Sequence, residues 1–174
     1  MGGDRKIKAK AEPDHPIRIL MANVRSLRNK LDELGAICNV QKVDVVCLTE
    51  TWSSGLDRDV DLTVPGFTVI NRLDKDTGLG IGGGNIVLAR EGVKVIGCPS
   101  QLNGNGAYAQ ITTSEIICKK GLRVKLMNAY RSPAKDTEEP SIGTIEEIFK
   151  SACANTIIIG DINVPEIDFK MFNI

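Results

Sequence analysis

The alternation of apolar and polar residues predicts that the chain begins with a strand, a helix and a second strand. Residues 17–23 and 43–50 are short apolar runs that end on polar residues, and such runs are typical of buried strands. Between them, four apolar residues recur at helical spacing and predict an amphipathic helix: Leu27, Leu31, Leu34 and Ile37. Ser26 is the predicted N-cap of that helix. Strand, helix and strand in this order predict a parallel βαβ unit.

The middle of the chain has the pattern of antiparallel strands joined by turns. Five short apolar runs are separated there by glycine-rich or charged residues, and they predict strands at residues 67–70, 85–89, 93–96, 108–117 and 122–130. The last two are close enough to form a hairpin through residues 119–121. Mixed strands with helices packed outside predict a layered α/β sandwich.

A second helix is predicted over residues 142–154, with Ile145, Ile148 and Phe149 on its buried face. No linker divides the sequence after this point or before it. We therefore expect a disordered polar tail at residues 1–16 and one domain at residues 17–174.

Three consecutive isoleucines at residues 157–159 predict a strand that is buried on both faces. Asp161 and Asn163 follow at its carboxyl end, which is where open α/β sheets place their ligand sites. Side chains two residues apart on an extended chain point the same way, so we expect both to face one site.

Composition is that of an ordinary globular domain. The 174 residues are 42% hydrophobic and 25% charged, and the formal net charge of +0 does not indicate a nucleic-acid partner. The five widely spaced cysteines favour reduced thiols in an intracellular protein, nuclear or cytoplasmic. No apolar run reaches the roughly 18 residues of a membrane span, and the N-terminus lacks a secretory apolar segment, so we expect a protein that is neither secreted nor membrane-bound.

Residues 78–83 have the G-x-G-x-x-G spacing of a dinucleotide-binding fingerprint. That motif requires a helix N-terminus after it, to face the pyrophosphate. Here the glycines lead into the apolar run at residues 85–89, which predicts a strand. The spacing therefore favours a glycine-rich bend.

Polar side chains end four of the predicted strands: Asn23, Glu50, Tyr130 and the pair Asp161 and Asn163. Polar residues often mark only where a strand leaves the core, and this explanation suffices for any one of them. That explanation is weaker when two carboxylates, two amides and a phenol all occur at strand ends in one chain. Carboxylates are hard oxygen ligands that suit Mg²⁺, while amides and a phenol can orient a phosphate without repelling it.

Three motifs at these residues, in this order, resemble the endonuclease/exonuclease/phosphatase family, which includes deoxyribonuclease I and the abasic-site endonucleases. They are Leu48-Thr49-Glu50-Thr51-Trp52, Asn128-Ala129-Tyr130-Arg131-Ser132-Pro133 and Ile159-Gly160-Asp161-Ile162-Asn163. The residues of these motifs are most similar to those of the endonuclease domains of non-LTR (LINE-type) retrotransposons, which nick target DNA ahead of reverse transcription. The resemblance covers residues 17–169 and implies a deoxyribonuclease I-like sandwich of two mixed sheets flanked by helices.

The resemblance also implies roles for the five residues. Glu50 would be the principal ligand of Mg²⁺ or Mn²⁺, with Asn23 assisting. Tyr130 would contact the scissile phosphate, Asp161 would orient or activate the attacking water, and Asn163 would hold the phosphate and Asp161. The implied reaction is metal-assisted hydrolysis of a phosphodiester, with DNA as partner.

One departure from the family is large. The family continues beyond the Gly-Asp-x-Asn motif with strands that bear an Asp and a Ser-Asp-His signature, and no Asp-His pair follows Asp161 here. The single histidine, His15, precedes the first predicted strand. The resemblance thus implies a domain without its last strands, with weak or no nuclease activity, and with a bare sheet edge that favours self-association.

Two other functions stay open at this point. The chain could be a non-catalytic binding module that reuses the fold. It could also be a phosphatase of the same family that acts on a small phosphorylated substrate, a class that the neutral net charge fits somewhat better than DNA binding.

Overall fold

The computed structural model describes residues 15–74, 82–98, 109–132, 146 and 149–163. Its regular elements, in chain order, are β1 (Ile19–Asn23), α1 (Leu31–Val40), β2 (Val45–Thr49), β3 (Phe67–Leu73), β4 (Asn85–Arg90), β5 (Val95–Cys98), β6 (Ala109–Ile117), β7 (Arg123–Arg131) and β8 (Thr156–Asp161). Short 3₁₀ turns lie at Asp59–Leu62 and Lys119–Gly121.

The strands form two four-stranded sheets, in the orders β1-β2-β4-β3 and β5-β6-β7-β8. In the first sheet, β1 and β2 are parallel and the other pairs are antiparallel. In the second, β7 and β8 are parallel, while β6 and β7 form the predicted hairpin. Both sheets are therefore mixed, and the predicted α/β sandwich is confirmed.

Alternation along β2 distributes its side chains between two cores. Val46 and Leu48 pack with Leu34 and Cys38 of α1 on the outer face of the first sheet. Val45 and Cys47, on the other face of β2, pack with Leu126 and other apolar side chains of the second sheet, so the sheets face each other. The carboxyl ends of β1, β2, β7 and β8 consequently come to one rim of the sandwich.

The first helix begins later than its sequence pattern predicts. It starts at Leu31, and the predicted N-cap Ser26 has a left-handed φ of 83° instead. Leu27 is fully buried although it precedes the helix, because the chain folds back onto the same core. Ile37 is 40% exposed and Cys38 takes the buried position, so the buried face is shifted by one residue.

The isoleucine strand β8 is not buried on both faces, which contradicts the sequence prediction. None of its side chains is fully buried, and Ile157 is 40% exposed. Within the described residues β8 pairs only with β7, so it lies at the edge of its sheet. An apolar run indicates burial only when neighbours cover both of its faces.

Some predictions fall outside the described residues: the tail at residues 1–14, the glycine run at 78–81, and residues 142–145, 147 and 148 of the second predicted helix. Residues 151–154 are described and are not helical, so the prediction that this helix extends to residue 154 is wrong. Residues 149–150 are helical, but Phe149 is 52% exposed, so its assignment to a buried face is wrong. All five cysteines are free thiols. In the described ranges, no helix has the length and apolar character needed to cross a membrane.

Candidate active site

The parallel strand pairs bring the ends of both sheets together. Asn23 lies opposite Thr49 in the β1–β2 register, and Tyr130 lies opposite Asp161 in the β7–β8 register. Glu50 directly follows β2. These ends carry the polar residues that the sequence singled out, and the structure places four of the five within hydrogen-bonding networks of one another.

The amide of Asn23 joins the two candidate carboxylates. Its Nδ2 donates to Glu50 Oε1 at 2.9 Å and to Asp161 Oδ2 at 2.7 Å. Asn23 Oδ1 accepts from the backbone N–H of Arg25 at 3.3 Å, which fixes the orientation of the amide. A single –NH₂ group thus bridges a carboxylate of the first sheet and one from the second, 138 residues from Asn23 along the chain.

Tyr130 completes the contact between the sheets. Its side chain is buried, and burial together with the negative charge of Glu50 raises the pKa of the phenol to about 12. The Glu50 carboxylate and Ser132 both lie close enough to the hydroxyl to act on this pKa, Glu50 raising it and Ser132 lowering it. Tyr130 is therefore a neutral hydrogen-bond donor at any physiological pH.

Asn163 is held against the end of β7. Its Nδ2 donates to the carbonyl of Arg131 at 2.7 Å, and the Arg131 guanidinium donates back to the Asn163 carbonyl at 2.5 Å. The prediction that strand alternation aligns Asn163 with Asp161 is wrong, because β8 ends at Asp161 and Asn163 has a left-handed φ of 47°. The residue instead lies beside Tyr130 through its contact with the neighbouring backbone.

Glycines support the turn that carries Glu50. Glu50 and Trp52 both have left-handed φ, at 52° and 56°, and Thr51 and Trp52 donate backbone hydrogen bonds to the carbonyls of Gly84 and Gly83. A Cβ on Gly84 would lie 2.4 Å from Thr51 Oγ1, so this approach requires glycine. After Gly84 the chain enters β4, a strand, as the glycine-bend interpretation predicts.

Sequence reasoning missed a layer of buried polar residues directly behind the site. Thr49, Asn85, Thr112 and Asn128 are all fully buried. The signal available in the sequence was weak: each is a polar residue within or at the end of an apolar strand. Asn128 even belongs to one of the recognised motifs.

The donor set suits a hard divalent cation. Two carboxylates converge on the Asn23 amide, and Mg²⁺ is typically held by one or two carboxylates with water completing its shell. The amide turns its –NH₂ group toward both carboxylates and its oxygen toward the backbone of Arg25, so in this structure the oxygen does not face Glu50. No group of three or more His, Cys, Asp or Glu residues capable of holding a metal was found in the described ranges.

The histidine lies away from the site. His15 Nδ1 is 3.0 Å from its neighbour's carbonyl and 3.6 Å from Asp44 Oδ2. Asp44 precedes β2, whereas Glu50 follows it, so His15 is at the opposite end of that strand. It cannot assist Asp161.

No protein-family pattern and no curated protein matches this sequence. Solved structures do match. The endonuclease domain of TRAS1, a telomere-specific non-LTR retrotransposon, superposes with a TM-score of 0.61 at 22% identity, over 87% of this chain and 63% of that one. This chain therefore spans less than two thirds of the TRAS1 domain's length.

Two further structures show the same likeness. An endonuclease/exonuclease/phosphatase family protein from Leptotrichia buccalis has a TM-score of 0.58 at 18% identity, over 86% of this chain and 69% of that one. D. rerio TDP2 complexed with single-strand DNA product has a TM-score of 0.54 at 16% identity, over 86% and 62%. The chain thus has the deoxyribonuclease I-like fold of the endonuclease/exonuclease/phosphatase family, as its three sequence motifs predict.

Proposed function

We propose that this chain is a metal-dependent phosphodiester hydrolase domain of the retrotransposon endonuclease type, with DNA as its substrate. The observation that carries the proposal is the Asn23 amide, which draws the Glu50 and Asp161 carboxylates together from two sheets. The three motifs supply the substrate class, and the fold shared with the TRAS1 endonuclease domain supports it.

Glu50 would hold the divalent cation, Mg²⁺ or Mn²⁺. Asn23 would assist as a second ligand once its amide turns its oxygen, which here accepts from the Arg25 N–H, toward the ion. When bound, such an ion neutralises charge on the pentacovalent transition state of phosphodiester hydrolysis. The Asn23 amide already offsets part of the repulsion between the Glu50 and Asp161 carboxylates, since it donates to both. The protein thereby keeps two negative groups close to each other before any ligand arrives.

The remaining residues act on the phosphate and the water. Tyr130 stays protonated and can donate a hydrogen bond to a phosphate oxygen without adding negative charge. Asp161 would orient the attacking water and accept its proton. Asn163, fixed beside Tyr130 by its bonds to Arg131, would hold the phosphate.

Catalysis by the chain is expected to be slow. The lone histidine of the sequence lies at the far end of β2, so Asp161 has no imidazole partner from these 174 residues. Loss of a general acid or base typically costs about 10²–10⁴ in rate. This observation also favours the second candidate, a module that binds DNA without cleaving it.

A plasmid-nicking assay tests the proposal. Supercoiled DNA is incubated with the chain and Mg²⁺ or Mn²⁺, alongside Glu50→Gln and, as a matched control, Glu33→Gln on the exposed surface of α1. We expect slow, metal-dependent nicking that Glu50→Gln abolishes and Glu33→Gln retains. DNA binding with no nicking would favour the binding module, and hydrolysis of small phosphomonoesters without nicking would favour the phosphatase.

A further inference from the structure

The interior between the two sheets changes character toward the site. Further from the rim it is apolar, with Cys47 and Val87 packed against Leu126. One register pair nearer to the rim, on the same face of β2 and β4, the residues are polar: Thr49 and Asn85. Both are fully buried. On the second sheet, Thr112 and Asn128 occupy register positions opposite each other and are also fully buried.

Two asparagines cross the gap between the sheets in opposite directions. Asn128 Nδ2, from the second sheet, donates to the carbonyl of Leu48 in the first at 2.9 Å. Asn85 Nδ2, from the first sheet, donates to the carbonyls of Gln110 at 2.9 Å and of Asn128 at 3.2 Å. We call this pair, Asn85 and Asn128, the amide bridge.

The amide bridge is an unfavourable way to fill a core. The Oδ1 atoms of Asn85 and Asn128 are buried and have no hydrogen-bond partner in the described part of the chain. A buried polar atom without a partner destabilises the fold, and an apolar side chain of similar size would pack there at no such cost. Buried polar groups that lower stability in this way are found mainly at functional sites of proteins.

The position of the amide bridge relates it to the site. Leu48 is two residues before Glu50 at the end of β2, and Asn128 is two residues before Tyr130 near the end of β7. One hydrogen bond therefore ties together the two strand ends that present the carboxylate and the phenol. Glu50 and Tyr130, whose side chains interact, each lie two residues beyond the groups that this hydrogen bond joins.

We propose that Asn128 is a positioning residue, whose hydrogen bond to the Leu48 carbonyl sets the separation between the Glu50 carboxylate and the Tyr130 phenol. The inference deepens the proposed function, because these are two of the groups assigned there to the metal and the phosphate. It concerns the geometry of the protein before substrate or metal binds, so it can be tested without either.

The environment of the Tyr130 phenol reports that geometry. The sequence has two tyrosines, so a Tyr108→Phe background labelled with ring-¹³C tyrosine leaves a single phenol, that of Tyr130, to be followed by NMR at neutral pH. Loss of the Asn128 hydrogen bond should move the buried phenol away from Glu50 and hydrate it, and both changes alter its chemical shift.

We expect Asn128→Ser in this background to shift the Tyr130 resonance toward that of a solvent-exposed tyrosine. Thr112→Val changes the register partner of Asn128 but leaves the amide bridge intact, and its Tyr130 resonance should match the background. Ile116→Val removes a methylene from the same core away from the bridge, and it controls for lowered stability alone. Circular dichroism establishes that each variant is folded.

A folded Asn128→Ser protein with an unchanged Tyr130 resonance would overturn the inference, as would an equal shift in Ile116→Val. If Asn128→Ser does not fold, Asn128→Leu removes the donor to the Leu48 carbonyl while filling the same space with an apolar side chain, and the same shift or its absence decides the matter. The measurement needs no metal and no DNA. A failure here would leave the nicking result untouched, and a failure to nick would leave the Tyr130 resonance untouched.

Discussion

Gly160 is the position where the smallest side-chain addition should do the greatest damage. Its φ is +147°, and a Cβ built there would lie 1.8 Å from the carbonyl oxygen of Ala129, its partner in the β7–β8 register. The obstacle is backbone, which cannot move aside without separating the two strands. Gly160→Ala therefore acts on the pairing that presents Asp161 opposite Tyr130.

The size of the effect follows from two contributions. An unfavourable backbone conformation costs about 1–3 kcal/mol, and forced overpacking costs about 1–3 kcal/mol more. Gly160→Ala should thus lower the free energy of unfolding by about 2–6 kcal/mol, which is a large share of the roughly 5–15 kcal/mol that stabilises a domain. Strand separation can relieve part of the clash, at the expense of hydrogen bonds between β7 and β8.

Urea unfolding measures this loss, with the fluorescence of the single tryptophan, Trp52, as probe. Gly55→Ala is the matched control, because no atom lies within 4 Å of a Cβ at Gly55 and its φ is ordinary. With a slope of about 1–3 kcal/mol per molar urea, the midpoint should fall by about 1 M or more in Gly160→Ala. A midpoint equal to that of Gly55→Ala would refute the reasoning about the β7–β8 pair.

Three further outcomes are expected. Asn23→Asp replaces the shared donor with a third carboxylate beside Glu50 and Asp161, so it should lower the free energy of unfolding by about 1–3 kcal/mol. Added Mg²⁺ should restore part of that stability, and thermal denaturation with and without Mg²⁺ measures both effects. Because the folded-state pKa of Tyr130 is raised from 10.0 to about 12, the unfolded chain loses this proton first, so stability should fall as pH rises from 10 toward 12, and less in Tyr130→Phe. Ile157→Lys should reduce any concentration-dependent self-association through the β8 edge, as measured by sedimentation, and equal association in both proteins would exclude that edge.

Local pattern was enough to predict most strands and the hairpin, because their apolar periodicity is set within a few residues. It failed at Ser26, whose left-handed backbone is held by a hydrogen bond from its N–H to the carbonyl of Glu50. That contact joins segments far apart in sequence, and no capping preference contains it. The exposure of Ile157 was likewise beyond pattern, since it depends on which strands lie beside β8.

The candidate site divides in the same way. Asn23, Glu50, Tyr130 and Asp161 could be named from the ends of apolar runs and from motif order, and the structure brings these four together. The amide bridge could not be found, because the Asn128 side chain bonds to a carbonyl 80 residues away. A polar residue inside a strand gives no indication of which backbone group it will reach.

Calorimetric titration of the 174-residue chain with Mg²⁺ or Mn²⁺ tests the central claim most directly. We expect one binding site, lost in Glu50→Gln and retained in Glu33→Gln, because Glu50 lies at the convergent rim and Glu33 lies on the exposed surface of α1. Binding that survives Glu50→Gln, or no binding by the unmodified chain, would contradict the assignment of this rim as a metal and phosphate site.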